Sequence, residues 1–245
     1  MKNVAVVICA GGMGSRFGGD KKKPFVEVAG RAAFLRSLDF FADRKEVKQI
    51  LIAIPPAEEE LAEIKWGPTL SFMGAKFCHG GSERFETVAN AIELIKDDID
   101  LIAVHDSVRC CLTDEWLDEL FACAEKTGAA MLACPVVATI KKADNGIITE
   151  TVDRSGLYEA QTPQVFETEL LKRAYKNIEN LEKDKITDDA ALVEAIGEKV
   201  AIVETDNSNI KITRKSDVAI AEAIIKSRQK PKTDGPKGPY AEAQW

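Results

Sequence analysis

The chain has 245 residues, of which 45% are hydrophobic and 30% charged, enough to bury one good-sized core. Its 33 basic and 40 acidic residues leave a net charge of −7, which argues against a general nucleic-acid or membrane surface while permitting a local cationic site. No segment approaches a membrane span, and the cysteines (Cys9, Cys78, Cys110, Cys111, Cys123 and Cys134) form neither a C-x-x-C pair nor a disulfide framework, so reduced thiols in a cytoplasmic protein are expected.

Val4–Ile8 is the first predicted element. The apolar stretch after Lys2 is barely long enough for a secretion signal, and a first β-strand explains it better. Further strands are predicted at Gln49–Ile54, Leu101–Val104, Ala130–Pro135 and Val200–Glu204. Helical periodicity falls between them. Val88, Ala91, Ile92 and Ile95 mark one face, and Leu117, Leu120, Phe121 and Ala124 another, with Thr113 as N-cap. Helices are also predicted at Thr168–Ile178, at Asp188–Ile196 (stopped by Gly197) and at Asp217–Lys226. This alternation predicts an α/β fold, a mostly parallel sheet with helices on both faces. Val136–Phe166 breaks the rhythm: "VVATIKK" and "GIITETV" surround the turn signal Asp144-Asn145-Gly146. A β-hairpin arm inserted over about residues 136–166 is therefore expected. Residues 1–228 form one domain on this reading, and 229–245, rich in proline and glycine, a disordered tail.

The stretch "CAGGMGSRFGGDKKKPF" (Cys9–Phe25) follows the first strand. Glycines in a strand-to-helix turn let backbone N–H groups approach phosphate oxygens. A dinucleotide fingerprint starting at Gly12 would need glycine at Phe17, and a P-loop starting at Gly14 would need lysine at Asp20. What is left, Gly11-Gly12-x-Gly14-x-Arg16 followed by Lys21, Lys22 and Lys23, favours a polyphosphate cradle over a plain turn. Lys21 and Lys22 also fit a solvated loop.

In "HGGSERFETV", Gly80 and Gly81 form a loop, Ser82 is placed to cap a helix starting near Glu83, and Arg84 sits in the first turn. A cation there opposes the helix dipole and asks for an anionic partner or a functional reason. An ordinary turn-to-helix entry is the alternative. In "AVHDSVRCC", Asp106 and Arg109 lie just past the carboxyl end of a strand, the edge where open α/β sheets bind ligands. A carboxylate there can hold a metal on a phosphate while the arginine forks a second phosphate, against the plainer reading of an Asp106–Arg109 salt bridge. His105 reads as packed rather than catalytic. Arg154 in "TVDRSGL", Thr187 and Asp188 in "ITDDAAL" and Lys211 in "NIKITR" have bland readings singly, as strand-end charges or, for Thr187, a helix cap.

Taken in order, "AGGMGSR", "GGSERFETV", "VHDSVR", "TVDRSGL" with "QTPQVF", "TDDAAL" and "NIKITR" resemble the 2-C-methyl-D-erythritol 4-phosphate cytidylyltransferase family of the non-mevalonate isoprenoid pathway, from about Val4 to Lys226. The resemblance implies a Rossmann-like α/β domain of nucleotide-diphospho-sugar transferase type, a homodimer joined through the β-arms, and the substrate CTP with Mg²⁺. By motif position, it implies that Arg16 and Lys23 stabilise the transition state. The main chain of Ala10, Gly11 and Gly12 and of Gly80, Gly81 and Ser82, with Thr87 nearby, would hold the cytidine. Asp106 would lie by ribose, phosphate and metal, and Arg109 and Thr139 would face the methylerythritol phosphate. Arg154 and Thr187 would be lent across the dimer, and Lys211 would position the attacking phosphate.

The chain departs from the family pattern in three places. Lys22-Lys23-Pro24 stands where the family has Pro-Lys-Gln; Lys23, seven residues after Arg16, aligns with the catalytic lysine, and Lys22 competes. Cys110 replaces a proline after Arg109, and Ala138 stands where an acidic residue commonly precedes Thr139. Ribitol 5-phosphate is therefore the rival acceptor. A catalytically silent nucleotide-binding or dimeric interaction protein is the rival from another class, and the joint presence of Arg16, Lys23, Asp106, Arg154 and Lys211 argues against it.

Overall fold

The protein is described by a computed structural model over residues 2–11, 23–182 and 186–228. In chain order the elements are β1 (Val4–Cys9), β2 (Glu27–Val28), β3 (Arg31–Ala32), α1 (Ala33–Ala42), β4 (Val47–Ile54), α2 (Glu59–Phe72), β5 (Ala75–His79), α3 (Arg84–Ile92) and β6 (Leu101–Asp106). They continue with α4 (Asp114–Thr127), β7 (Ala129–Pro135), β8 (Ile140–Asp144), β9 (Ile147–Val152), β10 (Tyr158–Glu167), α5 (Thr168–Lys176), α6 (Asp189–Ala195), β11 (Ala201–Glu204) and α7 (Lys215–Arg228).

Seven strands form one sheet in the order β11-β7-β10-β6-β1-β4-β5. All neighbours are parallel except β10, which runs antiparallel to both β6 and β7. A strand covered on both faces needs apolar side chains at every position, which is why β1 reads as an unbroken aliphatic run. Val4, Val6 and Ile8 pack with Phe34 and Leu38 of α1, Leu70 of α2 and Leu120 of α4. The alternate residues Ala5 and Val7 pack with Val88 of α3, Leu171 of α5 and Leu192 of α6. Helices thus cover both faces, as the sequence alternation predicts. Fully burying one such aliphatic side chain is worth about 1.5–3 kcal/mol, so these two layers fix the sheet.

The hairpin is present but shorter than expected. β8 pairs with β9 alone, and the turn between them has positive φ at Asn145 (46°) and Gly146 (80°), the geometry that Asn-Gly tolerates best. The expected arm boundary at Phe166 needs correction: from Tyr158 onward the chain leaves the arm and enters the main sheet as β10, wedged between β6 and β7. Its polar residues hid this. Gln161, Thr162 and Gln164 are buried there because each finds a partner inside the fold. The predicted tail, 229–245, lies outside the described residues.

Candidate active site

Register places the first half of the site. Cys9 at the end of β1 lies opposite Ala53 of β4 on one side and Asp106 of β6 on the other. The chain after β1 therefore emerges beside the Asp106 carboxylate, at the carboxyl edge of the sheet. The Ala10 N–H donates to the Ala53 carbonyl (2.8 Å), and the Gly80 N–H donates to the Ile54 carbonyl (2.7 Å), so the loops after β1 and β5 are both pinned to β4. Buried Thr87 props the second loop: its Oγ1 accepts from the Gly81 N–H at 3.0 Å and donates to the Glu83 carbonyl at 2.9 Å. A Cβ on Gly81 would sit 2.9 Å from the Glu86 carbonyl carbon, so only glycine fits this approach. Ser82 is not the helix cap that its position predicts. Glu83 holds the N-cap position, and the Glu86 carboxylate accepts from the backbone N–H groups of Ser82 (3.0 Å) and Glu83 (3.3 Å). The Ser82 hydroxyl is drawn to Glu86 as well.

The second half is a charge cluster around Asp106, which is only 7% exposed. Lys211 Nζ is 2.8 Å from its Oδ2, Arg109 Nε is 3.6 Å from the same oxygen, and Arg84 Nε is 3.6 Å from Oδ1. Burial alone would raise the Asp106 carboxyl, yet Lys211, then Arg84 and Arg109, outweigh it and hold the group well below the usual carboxylate range. Arg84 Nη1 also meets Asp189, a fully buried carboxylate of α6, at 2.7 Å. Three cations thus face the Asp106 and Asp189 carboxylates, with Glu159 a further acidic neighbour of Arg109.

Neighbouring side chains hold this cluster in place. The Arg109 guanidinium donates from Nη1 to the Asn209 carbonyl (2.7 Å) and from Nη2 to the Ala160 carbonyl (3.2 Å). Asn209 Nδ2 in turn donates to Gln161 Oε1 at 2.8 Å, which fixes the segment carrying Lys211 against β10. Thr162 Oγ1 accepts from the Asp106 N–H at 3.0 Å and lies 3.1 Å from His105 Nδ1. His105 is packed, as its sequence reading has it: wholly buried, edge-on to Phe41, and pulled down by burial to a pKa of about 3. An enclosed imidazole whose proton affinity burial has lowered this far is a weak general base near neutral pH.

Not every predicted site residue joins this cluster. Thr139 and Arg154 are exposed at the base of the arm, where the Arg154 guanidinium donates to the Val137 carbonyl. Thr187 is exposed just before α6 and does not cap it. That role belongs to Asp188, whose Oδ1 accepts from the Ala191 N–H at 3.0 Å. Gly12, Arg16 and Lys22 lie outside the described residues; for Lys23 the backbone alone is described, in a short 3₁₀ turn. Phe25 ends that turn, stacked 4.7 Å from Trp66 and edge-on to Phe34. Among the described residues no group of three His, Cys, Asp or Glu side chains could hold a metal ion. A lone carboxylate does suit magnesium that arrives with a polyphosphate, because Mg²⁺ completes its shell with phosphate oxygens and water.

Sequence reasoning missed the Asp189 anchor, the Thr162 brace and the Asn209–Gln161 pair. Only Arg84 carried a signal, through its unfavourable place at a helix N-terminus.

A mostly parallel sheet with glycine loops and a cationic pocket at its carboxyl edge defines an α/β nucleotidyltransferase. The chain belongs to the 2-C-methyl-D-erythritol 4-phosphate cytidylyltransferase (IspD) family, whose sequence profile matches residues 4–227. It is 41% identical over 228 residues to the 2-C-methyl-D-erythritol 4-phosphate cytidylyltransferase of Endomicrobium trichonymphae, covering 93% of this chain and all of that relative. The enzyme of the same name from Bacillus mycoides (strain KBAB4) is 36% identical, with 92% and 99% covered. Among solved structures, the 4-diphosphocytidyl-2C-methyl-D-erythritol synthase of Anaerococcus prevotii DSM 20548 superposes with a TM-score of 0.79 at 27% identity, over 92% of this chain and 96% of that one.

Proposed function

We propose that this protein joins CTP to 2-C-methyl-D-erythritol 4-phosphate, giving the CDP-alcohol and pyrophosphate for isoprenoid precursor synthesis. The observation that carries this reading is the buried Asp106 ringed by Lys211, Arg109 and Arg84 beside two glycine loops. Family membership supports it.

The chemistry follows from charge. The nucleophile is a phosphate with a second pKa of about 6, already ionised at neutral pH, so no general base is required. The barrier is repulsion: two unit charges about 4 Å apart repel by about 4 kcal/mol at an effective dielectric near 20. Arg16 and Lys23 offset the charge that develops at the α-phosphorus, and Lys211 leaves Asp106 to position the attacking phosphate. The main chain of Ala10–Gly12 and Gly80–Ser82, with Thr87 beneath it, holds the cytidine. Arg109 steadies the acceptor side through its own carbonyl anchors. Asp106, together with the nucleotide phosphates, would hold a magnesium ion, whose charge would add to the neutralisation.

The acceptor half requires a second copy. Ile147 and Ile148 on β9 are 71% and 61% exposed on opposite faces of the hairpin, and pairing of two arms would cover one of them and bring Arg154 to the partner's pocket. Purified protein with CTP and Mg²⁺ is expected to release pyrophosphate at least about tenfold faster with methylerythritol phosphate than with ribitol 5-phosphate, a discrimination of at least about 1.4 kcal/mol. The reverse preference, which Ala138 leaves open, would move the assignment to ribitol 5-phosphate; no release with either would contradict it.

A further inference from the structure

Arg84 is the first residue of α3, where the helix dipole disfavours a cation, yet its guanidinium turns inward, the side chain 27% exposed, onto a fully buried carboxylate. Nη1 lies 2.7 Å from Asp189 Oδ2, and Nε faces Asp106 Oδ1 at 3.6 Å. Asp189 is itself locked: it is 0% exposed, and its Oδ1 accepts the Tyr175 hydroxyl at 2.6 Å. The helix carrying it is pinned to β10, because the Ala190 N–H donates to Gln164 Oε1 at 3.0 Å and Gln164 Nε2 donates to Asp188 Oδ2 at 2.8 Å. One guanidinium therefore ties together the entry to α3, which follows the Gly80–Ser82 loop, the end of β6 with Asp106, and the start of α6 after Thr187. A simple surface ion pair needs neither burial nor two carboxylates.

We infer that Arg84 is a positioning residue for the reaction: anchored on Asp189, it orients the Asp106 carboxylate toward the nucleotide and registers the Gly80–Ser82 loop against α6. This deepens the cytidylyl-transfer reading and rests on it. Lys211 is half-exposed and is the cation that leaves Asp106 for the incoming phosphate; Arg84 stays, so the carboxylate does not swing when Lys211 departs. A planar fork can serve two acceptors at once, which a lysine ammonium on its single stem does poorly.

The test is calorimetric titration of the full chain with CTP and Mg²⁺, with melting temperatures recorded alongside. Arg84→Gln is expected to weaken CTP binding about tenfold, an interaction of about 1.4 kcal/mol. Tyr175→Phe, which loosens Asp189 but leaves Arg84 between both carboxylates, is expected to keep the CTP affinity within about twofold whatever its melting temperature. Arg84→Gln with unchanged affinity, or both variants losing affinity together, overturns the proposal. If Arg84→Gln does not fold, Arg84→Lys takes its place with the same expectation, and loss of fold in both assigns Arg84 to stability alone and overturns it too. Failure of the unsubstituted protein to bind CTP at all would instead overturn the nucleotide reading on which this inference rests.

Discussion

Asp106 closes β6 near the middle of the seven-stranded sheet, almost wholly buried and within reach of three cations, whereas Arg154 follows the last strand of the arm and is exposed. Both are proposed to face substrate, yet they are held by different physics. The Asp106 pocket is fixed by strand register, by burial and by chained hydrogen bonds through Thr162, Gln161 and Asn209. The arm is two strands paired only with each other, and a lone hairpin is marginal in water. On the proposed reading the nucleotide half is preorganised within one chain, and the acceptor half would gain its rigidity from pairing of two copies.

Substitutions in the two halves separate them. Arg16→Ala and Lys23→Ala, proposed to act on the nucleotide side, are expected to lower kcat by at least about 10²-fold, the scale of losing one preorganised donor. That loss should be the same at every protein concentration in a steady-state pyrophosphate assay. A larger loss in Lys22→Ala than in Lys23→Ala would shift the catalytic lysine by one residue. The arm should respond differently. Ile147→Asp combined with Ile148→Asp is expected to lower turnover about tenfold in dilute protein, with recovery as concentration rises and the copies re-pair. Light scattering checks the matching shift from dimer to monomer. Concentration-independent loss in the arm variant would erase the distinction between the halves.

Local signals carried most of what could be read without coordinates. The aliphatic runs of β1, β4, β6 and β7 announce buried strands and that of β11 an edge strand, Asn145-Gly146 announces the hairpin turn, and Thr113 caps α4 with its Oγ1 accepting from the Trp116 N–H at 3.3 Å. β10 was illegible for a physical reason. "QTPQVF" is polar in composition, and its burial depends on partners far along the chain: Thr205 and Asn209 for Gln161, Asp188 for Gln164. β5 and α2 were missed as well; Leu61, Ile64 and Phe72 are exposed on α2, so its pattern does not separate one buried face.

The site divides the same way. Glycine loops, cations and strand-end carboxylates were visible as residue types, and the motif order pointed to the family. Two adjacent aspartates after Thr187 looked alike, however, and only the fold distinguishes Asp188, which caps α6, from Asp189, which disappears beneath Arg84. The anionic partner that Arg84 demands was foreseeable as a need, but a residue 105 positions away on another helix could not be named from spacing.

The central claim is that an ionised acceptor phosphate attacks the α-phosphorus of CTP. Two parallel reactions with methylerythritol phosphate and Mg²⁺, one with CTP radiolabelled at the α-phosphorus and one at the γ-phosphorus, test it most directly. The account predicts the α-label in a new cytidine-containing diphosphate ester and the γ-label in pyrophosphate. Finding the γ-label on the acceptor, or the α-label only in free CMP, would contradict it.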